Sequence, residues 1–256
     1  MIADFEDRAD AGRQLAAAVI QLGLVDPLVL ALPRGGVPVA AEVARALRAP
    51  LDLLIVRKIC APEKPEVALA VIAEGEPPTV VINEGTSRAT DADHAYIKQE
   101  VRTLCREIER RCQTYRHDFA RFDVAGKTIV VVDDGIVTGT TVRAALKALR
   151  HLQPAKLVLA VPVASNNSIY ELSKLVDHVV CLLQPGHFGA VGTYYADFTQ
   201  VADDDVIALL KAGRIRHESD LAARALHGGE PPVVPTRAED PFVDPRAHLR
   251  GSWHNG

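Results

Sequence analysis

The chain has 256 residues, 48% hydrophobic and 24% charged, with a formal net charge of −4. That balance suits one α/β domain with a sizeable core plus an extension, and it gives no general attraction to nucleic acid. Four scattered cysteines (Cys60, Cys105, Cys112, Cys181) argue against a zinc site or disulfide framework and suit a reducing, cytoplasmic setting, while no secretory h-region or membrane-length apolar run is present.

Residues 1–26 read as an amphipathic packing helix, with Leu15, Ala18, Val19 and Leu22 as its apolar stripe and Gly23 as its stop. Residues 28–32 form a buried strand. Pro33-Arg34-Gly35-Gly36-Val37-Pro38 follows, then a helix with Ala40, Val43, Ala44 and Leu47 inward. Gly35 and Gly36 permit close approach of backbone to an anion, and Arg34 adds a charge that can fork onto phosphate oxygens. A plain turn is the alternative for the glycine pair. Residues 51–56 form the next strand and end in Arg57 and Lys58, two cations at a strand's C-terminal edge, where ligands bind in open α/β sheets.

Residues 61–66 form a proline-marked loop, and 67–72 and 79–82 pair as a hairpin joined through 74–78. Residues 91–120 carry the longest helical pattern, with Ile97, Val101, Leu104, Ile108, Cys112, Tyr115 and Phe119 inward. Arg102, Arg106, Arg110, Arg111 and Arg116 occupy its other faces. Glu100, Glu107 and Glu109 interleave with them, which favours a solvated face over a nucleic-acid surface.

The stretch from Lys127 to Leu149 is the most informative. Ile129, Val130, Val131 and Val132 make a strand buried on both faces, as in a parallel sheet. Asp133 and Asp134 follow, then a short loop with Gly135, Val137, Thr138, Gly139, Thr140 and Thr141. Val142, Ala145, Leu146 and Leu149 then mark a helix that packs back on the sheet. Small residues, hydroxyls and a helix N-terminus favour a phosphate. A carboxylate pair would repel that phosphate, so it is expected to accept hydrogen bonds from sugar hydroxyls, directly or through a divalent cation. No Gly-Lys-Ser/Thr closes the loop as a Walker motif requires, and residues 158–163 end without the Asp of a receiver domain.

Residues 156–162 are another core strand, 165–174 a short helix, 179–183 a strand and 203–212 a last short helix. From Gly213 the periodicity fades, and prolines and glycines break the tail at 225–256. His248 and His254 there are poorly spaced for a metal.

The run Val130-Val-Val-Asp-Asp-Gly-Ile-Val-Thr-Gly-Thr-Thr141 resembles the phosphoribosyl pyrophosphate (PRPP) motif of type I phosphoribosyltransferases. The resemblance covers about residues 10–212. It implies an open, twisted, mostly parallel sheet flanked by helices over 1–212, with an insert at 59–120, a hood near 184–200 and a C-terminal extension at 213–256. In that family a hairpin and mobile loop, here about 59–90, close over the sugar, and the long helix looks like an addition.

By resemblance, Asp133 and Asp134 fix the ribose, and Gly135, Val137, Thr138, Gly139, Thr140 and Thr141 hold the 5-phosphate. Arg34, Gly35 and Gly36 hold pyrophosphate, with a non-proline cis peptide expected at Arg34–Gly35 and with Arg57 and Lys58 behind. The implied cofactor is Mg2+ near Asp133 and Asp134, with Asp197 a weaker match. Phe188 resembles the aromatic that stacks on an acceptor base. The implied activity is transfer of ribose 5-phosphate from PRPP to a nitrogenous acceptor by a homo-oligomer, a dimer. A PRPP sensor or nucleic-acid binder without turnover is the alternative, and transfer on another phosphorylated sugar a third reading. Val137 stands where 6-oxopurine members carry an acid/base Asp, and 161–164 lacks their Lys, so that specificity is not implied.

Overall fold

Apolar strands that bury both faces build the centre of the protein. The computed structural model describes residues 3–62, 64–75, 78–82, 94–116 and 119–226. In chain order the elements are α1 (Arg8–Ile20), β1 (Pro27–Ala31), α2 (Gly36–Leu47), β2 (Leu51–Leu53), β3 (Val56–Ala61), β4 (Lys64–Ala73) and β5 (Thr79–Ile82). There follow α3 (His94–Arg116), β6 (Thr128–Val132), α4 (Thr140–His151), β7 (Lys156–Val163), α5 (Asn166–Ser173), β8 (His178–Leu183) and α6 (Asp203–Leu226).

A parallel five-stranded sheet has the order β2-β1-β6-β7-β8, and β3-β4-β5 form a separate antiparallel sheet. Alternate residues of each strand serve opposite faces. Val29, Ala31, Val130 and Val132 pack with α1, α2, α3 and α6, whereas Leu28, Leu30, Ile129 and Val131 pack with α4 and α5. The small sheet lies between α3 and α4. Asp7 caps α1 by accepting from Asp10 N at 2.7 Å, so the first helix starts at Arg8. Among the described residues no helix is long and apolar enough to cross a membrane.

Three expectations need correction. The strand after α2 leaves the main sheet at Leu53 and does not run on to Arg57 and Lys58. Leu54 N still donates to Ala31 O, but Ile55 N donates to Glu74 Oε1 and Glu74 N to Ile55 O, so the chain passes to the second sheet there. Arg116 faces inward, not to solvent, and pairs with Asp52 and Glu74. The last helix passes through Gly213 and continues to Leu226. Gly213 is buried against Leu51, where a methyl group would come within 3.2 Å of its Cβ, so this glycine permits close packing and does not end the helix. Residues 83–90 of the expected closing loop, 91–93 of the expected long helix, and the tail 227–256 with His248 and His254 lie outside the described residues.

Candidate active site

At the carboxyl end of the main sheet two strand–loop–helix units interlock. Leu32 N donates to Val132 O at 2.9 Å, which brings the loop after β1 beside the loop after β6. A methyl group on Gly35 would overlap Asp134 Oδ2, and one on Gly36 would sit 2.8 Å from Val132 O. The glycine pair therefore makes room for the acidic pair. The peptide between Pro33 and Arg34 is cis, one bond ahead of the expected position, and Gly35 has helical angles as the cap of α2. Gly35→Ala is expected to keep the fold, since φ −58° suits alanine, but to displace Asp134 and weaken PRPP binding or turnover by up to about 100-fold. A calorimetric titration of the variant, beside its thermal melt, checks this.

Asp134 is held from two sides. Arg8 Nε donates to its Oδ2 at 2.8 Å, and Tyr195 Oη donates to its backbone carbonyl at 2.6 Å. Arg8 also donates to Thr199 O at 2.8 Å, and its guanidinium lies 3.8 Å from the centre of the Phe198 ring. Burial, followed by the Asp134 charge, pushes the Tyr195 hydroxyl pKa upward, so it stays a donor. Sequence reasoning assigned the first helix to packing and missed Arg8. One signal was present: a cation in the first turn of a helix opposes the macrodipole and calls for another partner.

Asp133 Oδ1 accepts from Asp134 N at 3.0 Å. Part of the residue reaches solvent, yet its carboxyl is enclosed, and burial and then the neighbouring Asp134 raise its pKa well above the ordinary carboxylate range. Arg8 is the charge that counters the pair. Two carboxylates with one guanidinium leave a charge that suits a cation. Among the described residues no group of three or more His, Cys, Asp or Glu converges to hold a metal. Asp133 and Asp134 would be the residues to hold a Mg2+ brought in with a phosphorylated ligand, since this ion is commonly bound by one or two carboxylates. Asp197 is engaged locally: its Oδ1 accepts from Thr199 Oγ1 at 2.6 Å and Thr199 N at 2.8 Å, and these bonds lower its pKa.

The loop after the acidic pair is shaped for an anion. Gly139 caps α4 at φ +66°, a left-handed conformation that favours glycine. Thr138 and Thr140 hydroxyls lie 3.3 Å apart beside the first-turn N–H groups, which have no acceptor within a helix. Ser165 Oγ and Ser168 Oγ donate to Val137 O at 2.8 and 2.7 Å, so α5 pins the loop, a support that sequence reading missed. Val137 and Thr141 are exposed, whereas the side-chain space of Gly135 is filled by Val191 of the hood.

The remaining expected residues are dispersed. Arg57 belongs to β3 and pairs with Glu107 of α3 at 3.1 Å, while Lys58 is exposed on the same strand. Arg34 lies 3.5 Å from Asp203 at the start of α6. Phe188 is half-buried in the hood with its ring 5.4 Å from that of Tyr194.

A family model described as phosphoribosyl transferase domain matches residues 1–199. A Mycobacterium tuberculosis protein named "Putative phosphoribosyl transferase" is 45% identical over 206 residues, which is 80% of this chain and 46% of that protein. The chain thus spans about half the length of this curated relative. The crystal structure of TT1426 from Thermus thermophilus superposes with a TM-score of 0.74 at 43% identity, covering 80% of this chain and 97% of the other. A Bifunctional protein PyrR of Roseiflexus sp. is 54% identical over 41 residues, 16% of this chain and 22% of that protein.

Proposed function

The chain belongs to the phosphoribosyl transferase domain family, and we propose that it transfers ribose 5-phosphate from PRPP to a nitrogenous acceptor, a nucleobase, with release of pyrophosphate. The observation that carries this reading is the interlock of Gly35 and Gly36 with Asp133 and Asp134, beside the Gly139 cradle. One site then offers acceptors for ribose hydroxyls and donors for a phosphate ester.

In this reading Asp133 and Asp134 accept from the ribose hydroxyls, and Arg8 fixes the rotamer of Asp134. Thr138, Thr140, Thr141 and the N-terminal amides of α4 take the 5-phosphate. Arg34 faces the diphosphate. The anomeric carbon becomes oxocarbenium-like as the diphosphate departs, so catalysis rests on positioning and on stabilising the leaving group. A Mg2+ bound with the substrate supplies charge neutralisation to that leaving group. The four free cysteines suit a reducing, cytoplasmic setting.

A second reading is a PRPP sensor without turnover. Val137, 46% exposed in the cradle, offers no proton-transfer group to an acceptor and favours it. Isothermal titration with PRPP and Mg2+, beside ribose 5-phosphate and pyrophosphate alone, tests both readings when followed by a pyrophosphate-release screen with nucleobases. The expected result is that PRPP binds more tightly than either part and that one base triggers release. Binding without release supports the sensor, and no PRPP binding at millimolar ligand rejects both.

A further inference from the structure

Helix α3 is the part of the chain that the PRPP motif does not require, yet it builds one wall of a cleft at the edge of the site. This cleft has a volume of about 260 Å³ and is lined by Pro33, Arg34, Arg110, Arg111, Thr114, Tyr115 and Asp203. The helix period puts Arg110 over Thr114 and Arg111 over Tyr115, so four neighbouring side chains of α3 share one wall. The Pro33–Arg34 segment forms the wall opposite, and the residue after it packs on the Asp134 carboxylate. The cleft therefore begins one residue from the acidic pair.

Its charge is positive although the whole chain is acidic. Asp203 accepts from Tyr115 Oη at 2.7 Å and lies 3.5 Å from Arg34. Glu107 is shared between Arg57 at 3.1 Å and Arg111 at 3.2 Å. The lining thus carries three guanidinium groups (Arg34, Arg110, Arg111) against one carboxylate (Asp203), and Glu107 behind it is shared with Arg57. The buried Nε–H of Arg111 meets no acceptor in hydrogen-bonding geometry, despite the nearness of Glu107. Arg110 is exposed at the mouth. Guanidinium forks on two facing walls match a ligand with several phosphate oxygens, which accept bidentate bonds.

We propose that α3 completes a diphosphate-binding cleft with the Pro33–Arg34 loop, in which Arg110 and Arg111 clamp the diphosphate of a sugar 1-diphosphate. The proposal rests on the reading that the acidic pair holds the sugar. The helix added to the family pattern is then a second wall for the leaving group, and it couples leaving-group binding to the β3–β4 hairpin through Arg57 and Glu107.

The test is calorimetric titration of the wild-type chain and of Arg110→Ala, Arg111→Ala and the double variant with pyrophosphate, ribose 5-phosphate and PRPP. Pyrophosphate and PRPP affinity should fall about 10- to 100-fold in the double variant, with ribose 5-phosphate affinity unchanged. Arg110→Ala alone, at an exposed position, should weaken pyrophosphate without moving the melting temperature, which separates binding from folding. Replacement of both by lysine should restore part of the affinity, because charge returns without the fork. If the double variant binds pyrophosphate and PRPP as the wild type does, the cleft proposal is overturned while the transferase reading stands. If the wild type binds pyrophosphate in an Arg110-dependent way but not PRPP, the cleft stands as a diphosphate site and the transferase reading fails. Arginine-dependent binding of a nucleoside diphosphate that does not compete with PRPP would overturn placement of the substrate's diphosphate here. A wild type that binds no pyrophosphate at millimolar ligand would overturn the proposal outright.

Discussion

Arg116→Ala is expected to destabilise the fold by about 3–5 kcal/mol, the cost of leaving buried charges without their partner. The Arg116 side chain is 7% exposed, and those of Asp52 and Glu74 are each 3% exposed. Arg116 Nε donates to Asp52 Oδ1 at 2.5 Å, Nη2 to Leu53 O at 2.6 Å and to Glu74 Oε1 at 3.0 Å, and Nη1 to Glu74 Oε2. One side chain at the end of α3 thus ties β2, the edge strand of the main sheet, to the residue just after β4 of the second sheet. Both carboxylates also hold backbone: Asp52 accepts from Leu53 N and Phe122 N, and Glu74 from Ile55 N. Removing the guanidinium therefore loosens the chain switch between sheets as well as the helix.

The deficit should depend on pH. Burial by itself raises the Glu74 pKa, but the hydrogen bond and charge of Arg116 outweigh it and hold the carboxyl below its ordinary value. The wild type keeps that stabilisation above the unfolded pKa and loses it as pH falls through the depressed folded pKa. In the variant only the Ile55 N–H bond and the Arg121 charge still oppose burial, so the Glu74 pKa moves up from its wild-type position and its penalty grows as pH rises. Urea unfolding at about pH 7 and about pH 5 should show the gap between variant and wild type narrowing in acid. Adding Glu74→Gln to Arg116→Ala should recover part of the loss. A deficit below about 1 kcal/mol would mean that the cluster contributes little beyond an exposed ion pair.

Residues near in sequence were legible, and those joined only by the fold were not. The run 129–132, the acidic pair and the Gly139 cradle are contiguous, so strand, ligand loop and helix could be read together. Arg116 was read as solvated because a charged helical residue shows its partners only in three dimensions, and these lie 64 and 42 residues away. The passage between sheets at Leu54 and Ile55 was hidden for another reason. Residues 51–56 are all buried, so burial periodicity carries no mark of where the strand changes partners. Gly213 misled because a glycine that ends a helix and one that admits a neighbouring strand look alike in sequence. Arg8 reaches Asp134 across 126 residues, and only its unfavourable place in the first helical turn hinted at a distant carboxylate.

Asp133→Asn and Asp134→Asn are expected to abolish turnover alike, by about 100-fold or more, yet to move stability in opposite directions. Asp133 has its pKa raised by burial and by the charge of Asp134. Its favourable contribution is therefore complete below the unfolded pKa and is lost as pH rises through the raised folded pKa, so at high pH the charged form opposes folding. Asparagine removes that charge and keeps an oxygen for Asp134 N, whose bond to Asp133 Oδ1 is 3.0 Å in the wild type. The Asp133→Asn protein should melt higher, by about 2–4 °C for each kcal/mol relieved, with the gain largest in alkali. Asp134 is the reverse case. Its Oδ2 is the ionic partner of Arg8, whose side chain is 11% exposed, and asparagine turns that charge-assisted bond into a weaker neutral one. Asp134→Asn should therefore lose about 1–2 kcal/mol, while Tyr195 still holds the backbone carbonyl. Such a split, with function lost in both and stability gained in one, is the signature of a carboxylate kept against folding for the sake of a ligand. Pyrophosphate release and thermal melts on the same preparations decide it. Full release by either variant would remove that residue from the site, and an Asp133→Asn protein that melts below the wild type would show that its charge is compensated by groups other than Arg8.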